Sequence, residues 1–181
     1  MKQFLTLAIL LAFTACSTKQ TTSNSNAPSI PPQTGQPGQP ATQQAAAPGD
    51  LKVGEVSGTM VNAGETVTLK YAYGGHAEMF DEDAVALLLT DIPLSPEALT
   101  KAFEKYGQLP EGVRGLEYKV GKGFWVRYHP GGFQISGTNP LKDYSVENGV
   151  VKGRDEDTTD FDGKVYKRSV SFVARLPEKK S

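Results

Sequence analysis

The 181-residue chain contains few of the residues on which catalysis and metal binding usually depend. It has one cysteine and two histidines, so no disulfide can close within the chain and no HxxxH or HExxH pair can hold zinc. It also lacks a G-x-S-x-G elbow, a phosphate-binding loop and a G-x-G-x-x-G motif. The sequence therefore indicates no catalytic residue, no metal and no cofactor, and it favours a non-catalytic protein.

The chain also lacks an excess of either charge. It carries 19 Lys and Arg residues against 20 Asp and Glu residues, a net charge of −1 and a pI of about 6.1. Proteins that bind nucleic acid or anionic lipid by electrostatics usually show a basic excess. We therefore expect no nucleic-acid partner and no electrostatic contact with a membrane surface.

No hydrophobic run is long enough to span a bilayer. The longest, residues 4–13, follows a short basic start and would make a helix of roughly 15 Å, about half of a bilayer core. Thr14 and Ala15 then precede the only cysteine, Cys16. This arrangement is typical of a bacterial signal peptide that is removed on export. We predict cleavage after residue 15, so that the mature chain begins at Cys16.

Phe13-Thr14-Ala15-Cys16 resembles the lipobox of bacterial lipoproteins. The resemblance implies that Cys16 is acylated and that membrane lipid is a partner of the protein, because two or more acyl chains hold a protein on a bilayer stably. It places the protein in the bacterial cell envelope. Ser17, where an Asp would resemble an inner-membrane retention signal, favours the outer membrane if the cell has two. The alternative is an ordinary secretory signal with a cysteine near the cut.

Residues 16–50 have the composition of a linker. After Lys19 they are almost entirely Ser, Thr, Gln, Asn, Pro, Gly and Ala until Asp50, which leaves nothing to form a core. We predict a disordered tether that sets the distance of the following domain from the membrane. The alternative is a Pro-rich ligand, since residues 28–31 and 37–40 have PxxP spacing.

Residues 51–181 are long enough for a single domain, and most of them alternate between apolar and polar side chains with the period of a β-strand. Ser95 and Pro96 open one helical stripe, predicted over 96–106. Strands are predicted at residues 54–60, 67–73, 84–89, 116–120, 124–129, 133–137, 144–147, 150–154 and 164–176. The fold class is mainly β: an antiparallel sandwich or partly open barrel with one inserted α-helix.

The first part of this domain, residues 58–99, is similar to a secreted β-rich domain of bacterial lipoproteins and other exported proteins. The similarity rests on the strand at 58–61, the strand at 67–73 that ends in Tyr-Ala-Tyr, and Leu88-Leu89-Thr90-Asp91 followed by Pro93-Leu94. It implies a related fold and no particular chemistry.

The predicted strand at 124–129 offers the first candidate site. Trp125, Arg127 and His129 occupy alternate positions and share one face, whereas the opposite face is apolar and suits the core. An exposed Trp beside Arg could stack against a sugar or a peptide. The alternative is that the Trp is covered by the helix or by a neighbouring strand.

The acidic run at 155–163 offers the second candidate site. Asp155, Asp157, Asp160 and Asp162 supply the oxygens that Ca²⁺ prefers, although the spacing is not that of an EF-hand. The alternative is a solvated hairpin loop that keeps a sheet end soluble.

Together these patterns predict a membrane-anchored envelope lipoprotein with a non-catalytic β-rich domain that binds an envelope protein or glycan, or has a structural role. The alternatives are an envelope hydrolase that acts on a glycan with paired carboxylates, and a calcium-binding envelope domain.

Overall fold

The computed structural model describes residues 45–79, 82–104 and 108–178. The predicted signal peptide, Cys16 and most of the predicted tether lie outside these residues.

The described residues form ten strands and one short α-helix, which confirms the prediction of a mainly β fold with one inserted helix. In chain order the elements are β1 Glu55–Asn62, β2 Glu65–Thr68, β3 Tyr71–Met79, β4 Glu82–Thr90, α1 Pro96–Ala102, β5 Gly115–Val120, β6 Phe124–His129, β7 Gln134–Gly137, β8 Lys142–Glu147, β9 Val150–Phe161 and β10 Lys164–Arg175. The helix begins where predicted, with the Ser95 hydroxyl accepting from the Ala98 amide. It ends at Ala102, four residues before the predicted end.

The strands form one antiparallel sheet in the order β7-β6-β5-β4-β3-β1-β10-β9-β8, with β2 also paired to β1. Consecutive strands β7 and β8 stand at opposite ends of this order. Only residues 138–141 join them, a length of chain that spans at most about 18 Å. The sheet must therefore curl until its two edges approach each other, which gives a half-barrel rather than a sandwich.

The inner face of the half-barrel holds the hydrophobic core. Alternate residues of each strand point inward, as predicted for the apolar face of β6. The fully buried members include Met60, Leu87, Leu89, Leu116, Tyr118, Val126, Tyr128 and Phe172. Because β5 and β6 face β9 and β10 across this interior, Tyr118 contacts Phe172 and Tyr128 contacts Tyr166.

Part of the outer face is covered as well. The chain after α1 places Phe103 against Gly75, where a Cβ atom would lie 2.7 Å from the Phe103 ring. Gly75 pairs with Ala86 of β4, and both Ala86 and Leu88 are buried on this outer side. Burial on both faces of β4 explains why residues 84–89 are apolar without interruption.

The folded part begins before the predicted boundary at residue 51. The Ala46 amide donates a hydrogen bond to the Ser57 hydroxyl at 3.2 Å, and Pro48 is buried in a 3₁₀ turn, Pro48–Asp50. Residues 45–50 therefore belong to the domain. Their Ala, Pro and Gly composition resembles a linker, but the Pro48 ring supplies apolar surface that the sheet buries.

Candidate functional site

Strand β6 carries the first predicted site on its outer face. Trp125, Arg127 and His129 are all partly exposed there, while the residues between them are buried in the core. Strand alternation therefore placed these three side chains correctly on one face. The neighbouring side chains come from β5 on one side and from β7 on the other, where Ser136 pairs with Trp125 and Gln134 with Arg127.

Glu117 of β5 lies at the centre of this face. It pairs in register with Arg127, and its side chain is only 9% exposed. His129 Nε2 lies 3.2 Å from one Glu117 carboxylate oxygen, Arg127 Nη1 lies 4.0 Å from the same oxygen, and Lys119 Nζ lies 3.9 Å from the other. A buried carboxylate needs such partners to remain charged. We call these four residues and Trp125 the β5–β6 face.

The Trp125 ring is the apolar part of the β5–β6 face. Lys119 Nζ lies 5.0 Å from the ring centroid, and the Arg127 guanidinium carbon lies 4.8 Å from it. Both distances are within the range of cation–π attraction. The ring therefore restricts the orientations of the two cationic side chains that flank it.

A groove of about 490 Å³ runs along one end of this face. Residues 108–114 line one side, and Arg127 with residues 129–132 lines the other. Both walls are fastened to the fold: Asn62 Nδ2 donates to the Pro130 carbonyl at 2.7 Å, and the Asp91 carboxylate accepts from the Arg114 amide at 2.9 Å and from its Nε at 2.8 Å. The groove is thus largely formed before any ligand binds, as small-ligand sites usually are.

The structure does not place the four acidic residues of the second predicted site in a loop. Asp155, Asp157 and Asp160 lie in β9, and only Asp162 is in the turn to β10. The prediction of a loop was wrong because Asp155, Asp157 and Asp160 each pair with a residue of β10; Asp160, for example, pairs with Val165. Within residues 45–79, 82–104 and 108–178, no three His, Cys, Asp or Glu side chains are arranged to hold a metal ion.

Asp155 and Asp157 instead bind Arg168 of β10. The Arg168 Nε donates to Asp155, its Nη2 donates to Asp157 at 2.8 Å, and its Nη1 donates to the Tyr128 hydroxyl at 2.9 Å. The Tyr118 hydroxyl donates to the same Asp155 oxygen at 3.1 Å. We call these five residues the interior ion cluster, since all except Asp157 are fully buried.

The environment of the interior ion cluster shifts the pKa values of its members. Burial raises the pKa of Tyr128 to about 12, and burial together with the charge of Asp155 raises the pKa of Tyr118 well above its usual value. Burial lowers the pKa of Arg168, but Asp155, Tyr118 and Tyr128 together raise it by more, so the net shift of the Arg168 pKa is upward. The guanidinium therefore stays charged, and both tyrosines stay neutral at any ordinary pH.

The sequence contained a signal for this cluster. Arg168 stands between Tyr166 and Val170 on the alternating apolar face of β10, in a position where the pattern requires a buried side chain. A buried Arg needs a carboxylate partner, and the neighbouring acidic run could supply it.

None of the protein-family models, curated proteins or solved structures compared with this chain matches it.

In the part of the chain that the structure describes, no helix has the length and hydropathy needed to cross a bilayer.

Proposed function

We propose that this protein is a bacterial envelope lipoprotein, anchored through acylated Cys16, whose β-rich domain binds an envelope protein or glycan without catalysing a reaction. The β5–β6 face and its groove form the binding surface. The observation that supports this most is Arg127: its guanidinium is partly exposed beside Trp125 and makes no hydrogen bond to any other described residue. A guanidinium on a rigid strand presents its fork of N–H donors in a fixed orientation, which is suited to ligand recognition.

The composition of the groove favours binding over catalysis. Of its described lining residues, none is Ser, Thr, Cys, Tyr or Lys, which leaves Glu111 and His129 as the side chains that could attack as nucleophiles. His129 is the residue best able to transfer a proton, and its Nε2 is engaged with the buried Glu117. Glycan hydrolysis would need two carboxyl groups facing each other across the bound sugar. Glu111 is the one carboxylate among the described residues that line the groove, and Glu117 is buried beneath the face.

The anchor is tested by labelling cells with a palmitate analogue. We expect label on the wild-type protein, loss of label in Cys16→Ser, and accumulation of uncleaved precursor under globomycin. Ser17→Ala is the matched control and should keep the label. Exported wild-type protein that is soluble and unlabelled would contradict the proposed anchor.

The binding surface is tested by a pulldown with the chain from Ser17 onward, coupled through its amino terminus, against envelope extract and isolated cell-wall glycan. We expect specific recovery of one component that Trp125→Ala weakens and Lys122→Ala, at an exposed turn beside the face, leaves unchanged. Recovery that needs calcium and is lost in Asp162→Asn would move the site to the β9–β10 turn. Turnover of a wall polymer by the purified protein would overturn the non-catalytic assignment.

A further inference from the structure

We infer that the groove binds the free C-terminal carboxylate of a short apolar peptide, with Arg127 as the residue that contacts the carboxylate. This inference rests on the proposed function of the β5–β6 face and adds the class of ligand. It follows from the state of Arg127, from the balance of charge around it, and from the apolar walls of the groove.

Arg127 is held in place but its hydrogen-bonding capacity is unused. Its side chain is 33% exposed, and the nearest carboxylate oxygen, on Glu117, is 4.0 Å from its Nη1. That distance is too long for a hydrogen bond, and the same oxygen lies only 3.2 Å from His129 Nε2. Contact with Trp125 already limits the rotamers of the arginine, so little conformational entropy is lost when its planar fork binds a carboxylate with two parallel hydrogen bonds.

The cations closest to Arg127 outnumber the carboxylates there, although the acidic Glu111 also lines the groove. Lys119 and Arg127 are two cations beside one buried carboxylate, Glu117. Arg114, which also lines the groove, is already matched by Asp91 at 2.8 Å and by Glu65 at 2.6 Å. Of the two arginines that line the groove, Arg127 is therefore the one whose guanidinium can donate to an incoming carboxylate.

The remaining walls suit an apolar side chain. Leu109, Pro110, Val113 and Pro130 line the groove beyond the charged end. Gln108, Glu111 and His129 also line the groove and offer hydrogen bonds that a sugar could use, so an acidic sugar is one of the probes below. A peptide that ends in an apolar residue presents both the carboxylate and the apolar surface.

Fluorescence titration tests this inference, because Trp125 is the only tryptophan in the chain and touches Arg127. The probes are acetyl-alanyl-leucine, its C-terminal amide, and glucuronic acid. We expect saturable binding of the free acid, and binding of the amide about tenfold weaker or more, since hydrogen bonds between charged groups are worth that much. Arg127→Gln should weaken the acid about tenfold, and Lys122→Gln should not.

Calorimetry on the same samples covers ligands that bind without changing the fluorescence. Equal affinity for acid and amide, or heat of binding that Arg127→Gln does not reduce, would overturn the inference. Tighter binding of glucuronic acid would replace the peptide with an acidic sugar. If an envelope component depends on Trp125 in the pulldown while none of the three probes binds, the proposed function stands and this inference fails.

Discussion

Replacing Arg168 by leucine should destabilise the domain more than almost any other single substitution. The side chain is 2% exposed and donates hydrogen bonds to Asp155, Asp157 and Tyr128. In Arg168→Leu the Asp155 carboxylate stays fully buried, with only the Tyr118 hydroxyl as a partner, and its Oδ1 already makes no hydrogen bond. Breaking a buried ion pair by removing one partner costs about 3 to 5 kcal/mol.

The three hydrogen bonds of Arg168 should not contribute equally. Asp157 is 41% exposed, so its pair with Arg168 is screened by water, and Asp157→Asn should cost less than about 1 kcal/mol. The buried bond to Asp155 accounts for most of the effect. Since a domain of this kind is stable by only about 5 to 15 kcal/mol, Arg168→Leu would remove a large part of the free energy of unfolding.

Urea unfolding followed by circular dichroism would measure these differences. The decisive comparison is the double variant Arg168→Leu with Asp155→Leu, which buries no charge and should recover most of the stability lost in Arg168→Leu. The reasoning would be refuted if Arg168→Leu cost less than about 1 kcal/mol, or if the double variant were no more stable than the single one.

Three further results are expected. The free energy of unfolding should fall as the pH rises from about 10 through 12, because the folded state holds the Tyr128 proton that the unfolded chain loses at about pH 10. The loss of stability from this residue is about 2 to 3 kcal/mol. A flat pH profile, or a profile that Tyr128→Phe leaves unchanged, would contradict this expectation. Gly115→Ala should cost about 1 to 3 kcal/mol in the same unfolding assay, because its Cβ atom would lie 2.3 Å from the Leu89 carbonyl oxygen. Gly137→Ala, which has open space around it, should change the free energy of unfolding by less than about 0.5 kcal/mol. Equal effects of the two substitutions would refute the steric argument. Limited proteolysis should stop before Pro48 and not at residue 51, and mass spectrometry showing a stable core that starts after Asp50 would contradict the packing of this segment.

Strand alternation predicted the fold class and the two faces of β6 because it depends only on which side chains one strand buries. It did not connect Glu117 with His129, because that contact depends on the register of the β5–β6 hairpin and not on alternation within either strand. The acidic run shows the same limit. Asp155 and Asp157 look like loop residues in isolation, and only pairing with β10 and contact with Arg168 make an extended, inward-facing strand favourable there.

The groove could not be foreseen for a different reason. One of its walls is an irregular segment, residues 108–114, whose position depends on contacts distant in sequence, such as Asp91 with Arg114. No local periodicity encodes a contact of this kind. Composition likewise assigned residues 45–50 to the linker, although the sheet buries Pro48.

The pairing of β1 with β10 constrains how the chain can fold. Glu55 lies beside Val173 and Val61 beside Lys167, so the middle of the sheet joins strands that are among the most distant in sequence. Such non-local pairing raises the contact order, and domains of this type usually fold in milliseconds to seconds. A chain that ended before residue 164 would leave β1 and β9 as long unpaired edges, which favour aggregation. Synthesis of the last strand is therefore the step that pairs both of these edges and removes this tendency to aggregate.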